Sequence, residues 1–346
     1  MELWHDDNDN WQTAQEALAA LGDGLPLVPP TPARVGAMLA AHGFAPDEVL
    51  VELPPLFAAV TWQDVAINAV MAGCPPACLP VVGAAVEAIA APEFNLIGIA
   101  TTTGSATPIV IVNGPVVDAI GLNAAGNLFG PGHRANATIG RALSLTLRNC
   151  GGALPGEVDM STIGQPAKFG CCIAENAAAS PWPALHVERG FEAGDSVVTV
   201  VGIAGSVEIV DSSSNTTEDL AQSFAQSTLI AGSAGSGGLL GGGEPLFVMP
   251  PEIAQAFERA GSDKAAAKAA IWERAVMPRE RLSGAIREHR AMLARANGED
   301  PDLPLRIAER ADDLTIVVAG GVGIKAAYLP TWSGGTRAVS RLVRTR

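Results

Sequence analysis

Short apolar runs separated by longer helical patterns are the feature that most constrains what this chain can fold into. Apolar runs at 108–113, 197–203, 245–249 and 314–319 have the length of buried strands, and Gly, Pro or Ala-Gly turns follow them. The segments between these runs carry apolar residues at the spacing of a helix face. Strands that alternate with helices are typical of α/β proteins, so the sequence predicts a mostly parallel or mixed sheet with flanking helices.

Three parts are predicted along the chain. Residues 1–60 form a helical segment, because two stretches with helical apolar spacing flank the break Pro29–Pro32. Residues 61–230 form an α/β domain that contains the anion pocket described below. Residues 231–346 form a second α/β portion packed on the first. A hydrophobic content of 48% over 346 residues is enough for one large core or two modest ones.

A faint internal similarity leaves open whether the chain contains two similar α/β halves. Val197–Gly205 and Leu314–Gly323 are each a predicted strand that runs into a glycine-containing loop. The run Ala231–Gly243, rich in Gly and Ser, is either a linker or a loop that folds over a ligand. The connection Gly151–Pro183 is long enough to be a lid or a binding segment.

The charge balance excludes several classes of partner. With 36 acidic and 22 basic residues the net charge is −14, so nucleic acid is not expected as a partner. The first residues lack the order of a secretion signal, and no apolar run reaches ~18 residues, so a cytoplasmic protein without membrane contact is expected. The five cysteines include the adjacent pair Cys171 and Cys172, which is a poor disulfide framework, and reduced thiols are expected.

Residues 129–141 have the composition of an anion pocket at the start of a helix. Glycines and Pro131 prevent regular structure up to Gly132, and an apolar helical pattern begins soon afterwards. The first-turn N–H groups would point at a bound carboxylate or phosphate, which Arg134 and Arg141 could clamp. The other candidates here are Asn136 and Thr138 for substrate binding and His133 as a general acid. The alternative is an ordinary Gly-Pro turn whose arginines pair with acidic residues of the chain.

Cys74 is the sharpest single candidate for chemistry. It stands just before a predicted helix, whose N-terminal field would lower the thiol pKa and favour the thiolate. A thiolate there would serve as a nucleophile or a redox centre, whereas the alternative is a small buried hydrophobic residue. Cys78 could share its face, but no further Cys or His stands at metal-binding spacing, so no metal is predicted.

His186 and Glu188 form a second candidate pair. They alternate with apolar neighbours in Leu185–Gly190, so on a strand both side chains would project from one face. A histidine beside a carboxylate is suited to general acid/base catalysis. The alternative is a histidine held by a salt bridge at the rim of a sheet.

Polar residues follow two predicted strands. Thr101, Thr102 and Thr103 come directly after the predicted strand Asn95–Ala100, and Asn113 ends the next strand. Open α/β sheets bind ligands at the carboxyl ends of their strands, so these side chains are expected to hold substrate oxygens in one crevice with the anion pocket.

Three further segments bear on the site. Lys168 and Glu175, on the long connection, are expected to complete its polar lining. Gly320–Gly323 could add backbone N–H groups, but its spacing does not match a dinucleotide motif. No cofactor is therefore predicted.

Several strings of this sequence resemble an uncharacterised bacterial family whose members are associated with a small UGSC-type protein, named for its selenocysteine- or cysteine-Gly-Ser-Cys motif. The strings are Met71–Pro76, Val110–Pro115, Gly130–Ala142, Gly164–Lys168, Ala174–Asn176, Ser180–Pro183, Leu185–Phe191 and Gly243–Leu246. The resemblance spans roughly residues 50 to 340 and implies a selenol or thiol partner for Cys74. It fails at Gly323–Ala327, where the family pattern has Lys-His-Ser after the glycine loop, and this puts a polar role of that loop in doubt.

Three functions are compatible with these residues. The first is an enzyme that binds a small anionic metabolite and cleaves or forms a carbon–heteroatom bond, with Cys74 as nucleophile or thiol relay and His186 as acid/base, a lyase or thiol-dependent reductase. The second is a hydrolase or hydratase in which His133 or His186 activates water. The third is a non-catalytic subunit that docks the small UGSC-type thiol or selenol protein. A homo-oligomer is left open.

Overall fold

The computed structural model describes residues 11–229, 243–296, 298–332 and 334–344. In these ranges the α-helices are α1 (Trp11–Leu18), α2 (Pro32–Ala40), α3 (Trp62–Ala72), α4 (Leu79–Ile89), α5 (Leu96–Thr101), α6 (Val116–Ala119), α7 (Arg134–Asn149), α8 (Leu185–Glu188), α9 (Thr217–Thr228), α10 (Pro251–Arg259), α11 (Lys264–Arg274) and α12 (Gly284–Ala296). Most of the Gly- and Ser-rich run Ala231–Gly243 lies outside the described residues.

The strands are β1 (Val49–Leu53), β2 (Ala58–Thr61), β3 (Thr107–Asn113), β4 (Cys172–Ala174), β5 (Val197–Ile203), β6 (Val207–Val210), β7 (Leu246–Met249), β8 (Val276–Met277), β9 (Leu305–Arg306), β10 (Thr315–Val318), β11 (Lys325–Leu329) and β12 (Val339–Leu342). Two four-stranded sheets dominate, in the orders β12-β5-β3-β4 and β10-β7-β11-β6. We call them sheet 1 and sheet 2. Both mix parallel and antiparallel pairs and are flanked by helices, as the predicted α/β class requires.

The two sheets repeat one pattern of direction and register. In sheet 1 the parallel pair β3 and β4 places Val110 opposite Cys172, and in sheet 2 the parallel pair β7 and β10 places Phe247 opposite Ile316. On the other side of each central strand lies an antiparallel strand, β5 or β11, followed by a second antiparallel strand. The chain therefore contains two similar α/β halves.

The halves exchange one strand each. β5 leads into β6, which joins sheet 2, while β11 leads towards β12, which joins sheet 1. Val200 opposite Val110 corresponds to Tyr328 opposite Phe247, so three positions further on Ile203 corresponds to Thr331. Ile203 and Thr331 pair with each other, which places this bridge on the approximate twofold axis. The sequence similarity expected between Val197–Gly205 and Leu314–Gly323 matched β5 with β10, whereas the structural counterpart of β5 is β11.

The helices and sheets pack in four layers, because alternate residues of each strand point to opposite faces of its sheet. Ile109 and Ile111 of β3 pack against Leu246 and Val248 of β7, so the two sheets face each other across a shared core. The intervening side chains of sheet 1 pack against α3, α4 and α7, and those of sheet 2 against α9, α10 and α11. This helix–sheet–sheet–helix order follows from the period-2 alternation of strand side chains, each face of which must be covered.

One predicted strand, and one segment whose side chains were considered on a strand, are helices in the structure. Leu96–Thr101 is α5, because the side chain of Asn95 accepts a hydrogen bond from Gly98 N and caps a helical turn. Leu185–Glu188 is α8, where i to i−4 backbone hydrogen bonds replace strand pairing. On a helix His186 and Glu188 point in different directions, so the expected shared face is wrong.

The N-terminal segment packs on the helices that cover sheet 1, with α2 against α3 and residues Ala19–Leu21 against α7. α1 and α2 match the two predicted helices, but the segment is not helical throughout, because β1 and β2 form an antiparallel hairpin after them. Within the described residues, no helix combines the length and the apolar composition that a membrane span needs.

Candidate functional site

A cavity of about 730 Å³ opens where α8, β12 and the start of β10 meet. Its lining is rich in charge, and the ionisable residues are Glu93, Glu188, Arg189, Glu244, Lys268, Asp312, Asp313, Arg337 and Arg341. We call it the lysine cavity. Buried ionisable groups gathered at a concave site are typical of catalytic and binding centres.

Two buried lysines stand one helical turn apart on α11 beside this cavity. Lys264 is 7% exposed and Lys268 is 5% exposed, and both ammonium groups contact the carboxylate of Glu188. The distance from Lys264 Nζ to Glu188 Oε2 is 2.7 Å. Burial alone would raise the pKa of Glu188, but the charges and hydrogen bonds of the two lysines together hold that pKa below its usual value. Glu188 is therefore held ionised between two cations.

Glu175 lies behind α8 at the carboxyl end of β4 and is 4% exposed. Its Oε2 accepts hydrogen bonds from Asn113 Nδ2 at 2.5 Å and from Leu185 N at 2.7 Å. Burial raises the pKa of this carboxyl, although the charge of Lys264 and the three donated hydrogen bonds oppose the rise. The carboxylate thus joins the ends of β3 and β4 to the first residue of α8 and orients that helix towards the cavity.

His186 is buried on the same short helix. It is 3% exposed, its Nε2 lies 3.4 Å from Ala193 O, and its Nδ1 has no hydrogen-bond partner among the described residues. Asn113 Oδ1 also has no partner there. His186 does not line the lysine cavity, although it lies on the same helix as Glu188.

Arg189 is a cavity residue that sequence reasoning missed. Its guanidinium donates to Ser340 Oγ at 2.7 Å and to Ala338 O at 2.6 Å, both neutral oxygens, and in the described part of the chain it has no carboxylate partner. Among the described residues Arg189 is thus a cavity cation outside any ion pair, although the lining also carries the carboxylates of Glu93, Glu188, Glu244, Asp312 and Asp313. Two sequence signals could have indicated this site. Arg189 directly follows Glu188, and Lys264 and Lys268 have the i, i+4 spacing of one helix face.

The predicted anion pocket is built differently from expectation. Arg141 forms a bidentate ion pair with Asp23, with both N–O distances 2.8 Å, and also donates to Pro26 O. Asn136 binds backbone groups of Asn123 and Cys172. These two side chains tie α7 to the N-terminal segment and to sheet 1, so they are not available as expected to hold an anion.

The remaining residues of that segment lie at the start of α7. Arg134 is exposed and its Nε donates to Gly73 O at 2.9 Å, while the Thr138 hydroxyl donates to Arg134 O. His133 is exposed and makes no side-chain cap of the helix. The tight fit of α7 comes from Gly140, where a Cβ would lie 2.4 Å from the backbone N of Cys171.

Cys74 lies close to these arginines but is buried. It is 6% exposed, and burial raises its pKa to about 12, opposed by a hydrogen bond with Thr138 and by the charges of Arg134 and Arg141. The expected lowering of the thiol pKa is therefore wrong for this conformation, because loss of hydration outweighs the nearby positive charges. All five cysteines are free thiols.

Thr101, Thr102 and Thr103 lie apart from the lysine cavity. The Thr101 hydroxyl donates to Ile97 O, Thr102 Oγ1 accepts from Gly104 N, and Thr103 O accepts from Thr162 N. These contacts fix the turn after α5. Lys168 lies near this turn and pairs with Asp159 at 2.5 Å.

The glycine loop Gly320–Gly323 lines a separate cavity, of about 700 Å³, together with residues 126–130. A Cβ at Gly321 would lie 2.7 Å from Gly126 Cα, so these two glycines allow close backbone approach. In the described residues no group of three or more His, Cys, Asp or Glu side chains is arranged to hold a metal ion.

The functional argument depends on the geometry of the site, because comparison with known proteins found no match. No family model, no curated protein and no solved structure matches this chain. The resemblance to the family associated with UGSC-type proteins therefore stays a prediction.

Proposed function

We propose that this protein is an enzyme that binds a small carboxylate-like anion in the lysine cavity and makes or breaks a carbon–heteroatom bond by proton transfer. The observation that carries the proposal is the arrangement of Glu188 between two buried lysines. Beside it lies the guanidinium of Arg189, which has no carboxylate partner among the described residues. Arg189 presents planar N–H donors that match a carboxylate. The lysines place positive charge where negative charge would develop on the substrate.

The proposed chemistry uses two groups in opposite roles. Glu188, held ionised, accepts the proton from the carbon next to the substrate carboxylate, and the electron pair of that C–H bond forms a C=C bond to the neighbouring carbon. Lys268 donates a proton to the heteroatom as its bond to that neighbouring carbon breaks, and the reverse steps add the proton and the heteroatom back across the C=C bond. Asn113, Glu175 and His186 act as positioning residues, because they hold α8 rather than line the cavity.

Two other proposals from the sequence have less support. A thiol-dependent reaction needs an ionised Cys74, whereas burial raises the pKa of that thiol and Cys74 does not line the lysine cavity. Docking of a small thiol or selenol protein on Cys74 would first require this side chain to become accessible.

The test is a hydrogen-exchange assay on a panel of small carboxylates. Carboxylates that raise the melting temperature are incubated with the protein in deuterium oxide, and proton NMR follows loss of the signal next to the carboxylate. We expect exchange with the unmodified protein, no exchange with Glu188→Gln, and weaker binding with Arg189→Met.

Lys325→Met is the control, because Lys325 is exposed and lies outside this cavity. Binding that Arg189→Met leaves unchanged, or exchange that survives Glu188→Gln, would contradict the proposal.

A further inference from the structure

Another cavity, open to solvent, lies on the helical side of sheet 1 and shares no lining residue with the lysine cavity. Its volume is about 550 Å³, and it lies between α5, α7 and the segment 153–169. Most of its wall is apolar, formed by Ile99, Ala100, Ala106, Leu145, Leu147, Ala153, Ile163 and Phe169. A cavity of this size and character is suited to the apolar part of a small molecule.

The charges of this cavity do not balance. Asp23 forms an ion pair with Arg141, and Asp159 forms an ion pair with Lys168. The remaining ionisable lining residue is Arg148. One uncompensated positive charge is therefore left against an apolar wall.

Arg148 is weakly held by the protein itself. Its Nη2 lies 3.5 Å from Ala20 O, and its Nε is buried with no hydrogen-bond partner among the described residues. Because this Nε is shielded from the cavity, an acceptor there would bind the Nη groups, which the protein holds only by this long contact. Ser144, one turn earlier on α7, also lines the cavity and offers a hydroxyl beside the guanidinium.

We propose that this cavity is a second binding site, for an amphipathic carboxylate. The carboxylate receives hydrogen bonds from Arg148 and from the Ser144 hydroxyl. The hydrocarbon body lies against the apolar wall of α5, α7 and Phe169. The site does not depend on the function proposed for the lysine cavity.

The test compares octanoate with the alcohol of the same length by isothermal titration calorimetry. We expect one octanoate per chain, and weaker binding of the alcohol. Arg148→Met should weaken octanoate binding about tenfold or more, the effect of losing a charge-assisted hydrogen bond, and leave alcohol binding unchanged. Lys268→Met, in the other cavity, should bind octanoate like the unmodified protein.

A second measurement needs no variant. Phenylglyoxal labels accessible arginines, and bound octanoate should protect Arg148 while leaving the exposed Arg134 labelled, as read by peptide mass spectrometry. Equal binding of acid and alcohol, unchanged binding in Arg148→Met, loss of binding in Lys268→Met, or absence of protection would each overturn the proposal.

Discussion

Replacing Glu188 by Gln should show how much the free energy of unfolding depends on the one carboxylate that contacts the two buried lysines. The side chains of Lys264 and Lys268 are only 8% and 7% exposed, while that of Glu188 is 29% exposed. Glu188→Gln keeps the size of the side chain and removes its charge, so it leaves two buried ammonium groups without the carboxylate that contacts both of them.

The size of the effect follows from this burial. Removing one partner of a buried ion pair costs about 3–5 kcal/mol in the free energy of unfolding. Because Glu188 is partly solvated, we expect the lower end, about 3 kcal/mol. Adding Lys268→Met to Glu188→Gln should recover about 1 kcal/mol or more, since it removes one uncompensated charge.

Urea unfolding of these two variants measures both values, and Glu208→Gln provides a matched control. Glu208 pairs with Lys325 at 3.9 Å on the surface, where both side chains are more than half exposed. Breaking such a pair should change stability by less than about 1 kcal/mol. If Glu188→Gln costs no more than Glu208→Gln, the lysines do not depend on Glu188 and the reasoning fails.

The same pair predicts a pH dependence. The folded-state pKa of Glu188 is below its usual value of 4.5, so its contribution to stability is complete above about pH 4.5. That contribution is lost as the pH falls through the folded-state pKa. Glu188→Gln should therefore be less sensitive to acid than the unmodified protein over this range.

Two further outcomes are expected. Gly140→Ala should lower the free energy of unfolding by about 2 kcal/mol or more, because its Cβ would lie 2.4 Å from Cys171 N. Gly36→Ala, in α2 with nothing within 4 Å of the added Cβ, should instead raise stability by up to about 1 kcal/mol in the same urea assay. Iodoacetamide at about pH 8 should leave Cys74 unlabelled in the folded protein and label it in urea, and rapid labelling of the folded protein would disprove its burial.

Local sequence patterns predicted much of the fold. The apolar runs that became β3, β5, β7 and β10 lie within a residue or two of their observed bounds. The run Leu96–Thr101 was misassigned, because six mostly apolar residues fit a short strand and a short helix equally well. The capping side chain of Asn95 is the signal that would have decided it.

The candidate site was predictable only in part. Asn113 and Glu175 were both named from sequence, and their hydrogen bond places them together at adjacent strand ends. Lys264 and Lys268 could not be assigned to Glu188, because α11 and α8 are far apart along the chain and meet only through the packing of both halves. The expected low pKa of Cys74 was wrong because the thiol is buried. Burial depends on tertiary contacts, which a sequence pattern at the start of a helix does not show.

The exchanged strands make the order of synthesis matter. β12 forms the edge of sheet 1, yet its Val339 reaches the ribosome exit long after its partner Val200. During translation β5 must wait with an open backbone edge until nearly the whole second half has emerged. For the same reason neither half is expected to fold as an isolated fragment.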